Sequence, residues 1–142
     1  MKLTTYLLLA PLVTLAMTLF SYLISFIRGK EFREPELLTV LIYRYFEMPP
    51  LRGLANLPGW ILHLVIGYLF LALYNGFFFL NEIEPTPGFT LMVGFALGVL
   101  GILGWKVIFT LHPNPPDIKF TEFYIQLLMA HIIFAFTASM GF

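Results

Sequence analysis

Four long apolar runs separated by short polar stretches set the rhythm of this chain: residues 6–27, 60–80, 89–111 and 123–142. A bilayer core about 30 Å thick is crossed by roughly 20 apolar residues in helical form, so each run predicts one spanning helix. In lipid, backbone groups find partners only within helices or closed barrels. The runs are continuous rather than alternating, which points to helices. The first run is uncharged, His63 and Asn75 interrupt the second, and Lys106 stands near the end of the third. Prolines mark the breaks: Pro85-Thr86-Pro87-Gly88 predicts a tight turn, and His112-Pro113-Asn114-Pro115-Pro116 a stiff link that cannot be helical. Asn56 is placed to cap the second span, with Leu57 and Pro58 in its first turn.

A different period appears in the long first loop. Over 35–47, with Pro35 as a good first helical residue, Leu37, Leu38, Leu41, Ile42, Tyr45 and Phe46 fall on one side of a helix. Glu36, Thr39, Arg44 and Glu47 fall on the other. This stretch is too short to span. It predicts an amphipathic helix in the membrane interface, with Arg28, Lys30 and Arg33 as anchors for lipid headgroups. A second reading docks the same face against the ends of the bundle.

Composition agrees with lipid as the solvent. The 142 residues are 59% hydrophobic and 11% charged, less than half the roughly 25% charge of a soluble domain, and the mean hydropathy is +0.87. That excludes an ordinary soluble globule and a disordered chain alike. Eight basic and eight acidic residues leave no net charge, and hence no nucleic-acid footprint. Without cysteine, disulfides, thiolate metal sites and cysteine nucleophiles drop out.

The basic residues also predict an orientation. Arg28, Lys30, Arg33, Arg44 and Arg52 lie in the first loop and Lys119 in the third, whereas the second, 81–88, has only Glu82 and Glu84. The first and third loops are therefore expected in the cytoplasm of an inner-membrane protein, with both termini outside; Lys2 alone argues the other way. The first run is longer than a signal-peptide core and ends at Arg28-Gly29-Lys30, so it is expected to be a retained span.

Helices in lipid associate through close packing and polar contacts. Thr14, Thr18, Ser21 and Ser25 continue a stripe from Ala10 that stays within about 80° of one face. On the third span, Gly94, Gly98, Gly101 and Gly104 form a ridge about 120° wide. These seams predict that the first and third spans lie close together. The even-numbered spans share another pattern, His63-x3-Gly67 and His131-x3-Ala135, which an internal duplication of hairpins would explain.

Polar groups at membrane depth are costly and mark candidate functional positions: His63, Lys106, Glu122, Gln126 and His131. Glu122 suits the positive start of the fourth helix and is within reach of Lys106 across the third loop. Gln126 lies on nearly the opposite face from His131. Two helical imidazoles can clamp a haem, and His63 and His131 are the only pair available within the spans. Their depths differ by about 7 Å at 1.5 Å per residue, which argues against level ligation. No HExxH motif or paired carboxylates support a mononuclear metal site.

The segments Ala16-Met17-Thr18 and Gly59-Trp60-x2-His63-x3-Gly67 give the chain a resemblance to small uncharacterised four-helix inner-membrane proteins of bacteria. It covers the hairpins but not the long first loop, and implies no active site. The resulting expectation is an all-α, polytopic membrane four-helix bundle in one domain with the additional interfacial helix. Its expected role is non-catalytic: a subunit, assembly factor or anchor in contact with lipid and with other membrane subunits or its own copies. The alternatives are a small oligomeric transporter or channel lined by the hydroxyl seam, and a haem-binding, redox or lipid-modifying protein using His63, His131 and Lys106.

Overall fold

The computed structural model describes residues 3–141. Lys2, counted in the orientation, and Phe142, the end of the fourth run, lie outside the described residues. The elements are α1 (Leu3–Arg28), α2 (Glu34–Phe46), α3 (Leu57–Asn81), α4 (Pro87–Leu111) and α5 (Phe120–Ser139), with no strand among the described residues. Four of them, α1, α3, α4 and α5, are long and apolar enough to cross a membrane, which agrees with a multi-pass protein.

Helix ends depart from the expected ones for local reasons. Proline lacks an N–H, and the first turn of a helix does not need one. α3 starts at Leu57 with Pro58 in its first turn, as expected, whereas α4 starts ahead of its apolar run with Pro87 in its first turn. Pro35 is the second residue of α2 rather than the first, because the helix begins at Glu34. Asn56 precedes α3 but its side chain makes no cap; instead its carbonyl accepts from Trp60 N at 3.1 Å and Thr39 Oγ1 at 3.2 Å. Thr86 caps α4, its hydroxyl accepting from Phe89 N. Gly29, with φ of 60°, turns the chain from α1 towards α2.

The spanning helices are arranged with α5 between α1 and α4, and α3 on the other flank of α1. This corrects the expected pairing of the first and third spans, since α1 and α4 share no extended contact. The α4 ridge meets α5 instead. A Cβ on Gly94 would stand 2.9 Å from Ala135 Cβ, one on Gly98 3.1 Å from Leu128 Cα, and one on Gly101 2.8 Å from His131 Cε1. The α1 seam faces α3 near its middle, where Thr14 fills the space beside Gly67 and Thr18 meets His63. In both sequential hairpins, then, the small residue four places after histidine packs against a small residue of the neighbouring helix. Although α3 and α4 are consecutive, they touch only sparsely.

α2 is docked on one end of this bundle. Leu37, Leu38 and Leu41, together with Phe32, are buried with Trp105, Phe109, Phe123 and Leu127. Each leucine withdrawn from water contributes about 1.5–3 kcal/mol. Its opposite side is solvated only in part: Arg44 and Glu47 are exposed, whereas Thr39 is buried, accepts from Gly59 N at 3.1 Å and donates to Pro35 O at 2.9 Å. The third loop closes over the same end. His112 Nε2 donates to Leu41 O at 2.9 Å, and Arg44 Nη1 to Asn114 O at 3.3 Å.

Candidate functional site

Two polar constellations lie inside the bundle. The first joins α1, α2 and α5 around a carboxylate that the sequence reading passed over. Glu34 is only 1% exposed; its Oε1 accepts from Ser21 Oγ at 2.7 Å and from Gln126 Nε2 at 3.3 Å. Gln126 Nε2 also donates to Ser21 Oγ. Glu34 Oε2 and Gln126 Oε1 have no partner. Burial pushes the Glu34 carboxyl up to about 7, against the opposing hydrogen bonds from Ser21 and Gln126. The signal was present in the sequence, since Glu34 shares the i, i+3, i+4, i+7 face with Leu37, Leu38 and Leu41.

Charged groups gather below this knot. Glu122 takes Arg28 Nη2 at 2.8 Å and Lys30 Nζ at 2.5 Å, so the expected Lys106–Glu122 pair does not form. Lys106 lies over the Tyr124 ring at 5.5 Å. Arg33 pairs with Glu31 at 2.5 Å and stands 3.8 Å from Glu36; the Glu31 hydrogen bond raises its already high pKa. The three basic residues expected to anchor headgroups are thus each engaged with a carboxylate. Ser25 donates to Lys30 O and accepts from Phe32 N at 3.3 Å, fixing the chain between α1 and α2. Because the Glu122 pairs are exposed to solvent, Glu122→Ala should change the thermal midpoint only slightly. Whatever difference it shows at low salt should vanish in 1 M salt, near which the screening length is about 3 Å; melting curves at both ionic strengths check this.

The second constellation is a cavity of about 250 Å³ bounded by α1, α3, α4 and α5 and touched by Leu38 of α2. His63 and His131, each 5% exposed, both line it, with Phe70 and Trp105 as aromatic wall and Gly101 and Gly104 on the α4 side. His63 Nε2 is 2.8 Å from Thr18 Oγ1, and His131 Nδ1 is 2.8 Å from Leu127 O. The Phe70 ring centroid is 5.0 Å from that of His131. The two residues therefore line one cavity, although the depth count from the sequence placed them about 7 Å apart along the bundle. At about 250 Å³ the cavity is somewhat smaller than the roughly 300–1,000 Å³ of a typical small-molecule pocket. No group of three or more His, Cys, Asp or Glu suited to a metal occurs among the described residues.

The other seam residues serve packing. Thr14 and Thr18 donate back to Ala10 O and Thr14 O at 2.8 and 2.7 Å, as buried helical threonines do. Gln126 and His131 lie on different faces of α5, as expected, and belong to separate constellations. Asn75 lines a groove at the far end of the bundle beside Tyr6 and Glu82. Comparison with known proteins finds no family model, no curated protein and no solved structure that matches the chain.

Proposed function

We propose that this chain is a non-catalytic integral membrane subunit or anchor that holds an apolar platform at one face of the bilayer for another subunit of a membrane complex. One observation carries the reading: α2 is pinned at its start and bare at its end. The Glu34–Ser21–Gln126 knot and the buried leucines fix the first turns. Beyond them Tyr45, Phe46, Met48, Leu51 and Leu54 are between 49% and 61% exposed, outside the four candidate spans. Exposed large apolar side chains clustered outside the hydrocarbon zone are the usual mark of an interaction surface. With Arg28, Lys30, Arg33, Arg44 and Arg52 at the same end, the positive-inside rule assigns this platform to the cytoplasmic side of an inner membrane and both termini to the outside. The interfacial placement of α2 expected from its sequence belongs to this same proposal: its exposed end lies at headgroup level, next to the partner.

The experiment is purification of the tagged protein from native membranes in mild detergent, beside a Phe46→Ser/Leu51→Ser double variant. The expected result is a larger assembly for the parent and a lone bundle of unchanged helicity for the variant. A parent that runs as a partner-free monomer, or a variant that keeps the same partners in the same yield, overturns the reading.

A further inference from the structure

The histidine cavity has a feature that packing alone does not require. Thr18 has one hydroxyl hydrogen and uses it on Thr14 O at 2.7 Å, so towards His63 it can only accept. His63 Nε2 therefore carries the proton of that 2.8 Å bond. Leu127 O is also only an acceptor, so His131 Nδ1 carries the proton of its own 2.8 Å bond. In a neutral imidazole the second nitrogen is then a bare lone pair. His63 Nδ1 and His131 Nε2 have no hydrogen-bond partner among the described residues. Two acceptors, locked by their tautomers and carried on different helices, belong to residues that line one cavity.

The cavity opens where lipid would be. Leu100 and Ile108 on its α4 wall are 45% and 37% exposed, and a Cβ on Gly104 would meet nothing within 4 Å. α3 and α4 diverge there, so the mouth faces the hydrocarbon at the level of the spans. A space of about 250 Å³ exceeds the roughly 150 Å³ that admits benzene and falls short of a whole lipid. It accepts a substituted ring and leaves a chain outside. A rigid ring bearing two hydroxyls supplies one donor to each separated acceptor, whereas a simple alcohol satisfies one of them. Phe70 and Trp105 provide flat walls for such a ring.

We propose that this cavity binds the ring of a membrane-dissolved hydroquinone, its hydroxyls donating to His63 Nδ1 and His131 Nε2 and its tail leaving between α3 and α4. The oxidised quinone presents carbonyl oxygens to the same lone pairs and is disfavoured, so the site distinguishes the two redox forms by hydrogen-bond polarity. The proposal is independent of the platform on α2.

The test is binding of decylhydroquinone, decylbenzoquinone and decanol to the purified full chain in nanodiscs, followed by calorimetry under argon. The hydroquinone is expected to bind at least about tenfold more tightly than either other probe, the value of one net hydrogen bond. Gly104→Leu, whose Cβ stands in open space, puts a side chain across the mouth and is expected to abolish that binding while the melting curve and helicity stay those of the parent. His131→Phe, which keeps a ring beside Phe70 but leaves His63 Nδ1 as the one acceptor, is expected to bring hydroquinone and decanol to near parity. Absence of hydroquinone binding, equal affinity for the quinone or decanol, or full binding in Gly104→Leu overturns the proposal.

Discussion

Gly59→Ala is expected to unseat α2 from α3 and to cause the largest loss of stability of any single methyl added to this protein. A Cβ at that position would lie 1.9 Å from Pro35 O, 2.3 Å from Thr39 Oγ1 and 2.7 Å from Thr39 N. Two of these are backbone atoms, so no change of rotamer relieves the clash, and the helices must separate. Separation also breaks the 3.1 Å bond from Gly59 N to Thr39 Oγ1. Overpacking of a close-packed contact costs about 1–3 kcal/mol and a lost hydrogen bond about 1 kcal/mol more. The combined loss is expected to lower the thermal midpoint by on the order of 10 °C. Gly76→Ala is the control: nothing lies within 4 Å of its Cβ, and alanine in a helix gains about 0.5–1 kcal/mol over glycine. Melting both variants in detergent decides the matter; a Gly59→Ala protein as stable as its parent would show that the α2–α3 contact is not close.

The second large effect concerns Glu34 and has a pH signature. Its carboxyl is raised from an ordinary 4.5 to about 7 by burial. Between those values the folded protein keeps a proton that the unfolded chain has released. Stability from this group is thus complete below about 4.5 and is lost as the pH rises to about 7, after which the curve levels. The slope within the window approaches about 1.4 kcal/mol per pH unit, and the whole change is of order 3 kcal/mol. Glu34→Gln keeps the shape and an acceptor for Ser21 but has no proton to lose, so its stability should be flat across the window. Glu34→Ala removes the acceptor and leaves Ser21 and Gln126 short of a buried partner, which costs about 1–3 kcal/mol at every pH. Unfolding curves for parent and Glu34→Gln that run parallel from pH 4.5 to 7 would refute this account.

These two positions show what could and could not be read ahead of the structure. Glu34 was legible in principle, because it lies on the leucine face of α2; treating the helix as starting at Pro35 left it out. Gly59 belonged to a recognised motif, but its partner, the backbone of α2, is some twenty residues away and leaves no periodic trace. The glycine ridge of α4 and the hydroxyl stripe of α1 were both visible as seams. Their pairing with one another was wrong, because a stripe of small residues states that a backbone comes close and not which one. Arg28 and Lys30 were placed correctly at one end of the bundle, whereas their partner Glu122 became identifiable only once α5 lay against α1. His63 and His131 were candidates from their depth and their shared motif; the hydrogen bonds they donate to Thr18 and Leu127, which set their tautomers, are tertiary and local facts, respectively.

Four helices long and apolar enough to cross a membrane, the position of each break and the shortness of α2 were determined by the sequence alone. Each follows from local quantities: run length against bilayer thickness, charge density, and the backbone restrictions of proline. Tertiary structure alone decided which seam met which helix, which carboxylate was buried, and that α3 and α4 diverge around a histidine cavity. Those outcomes rest on complementary shape and on pairing between groups far apart in the chain. Apolar side chains are nearly interchangeable to a hydrocarbon solvent, so hydrophobicity places the helices in the membrane without choosing their neighbours.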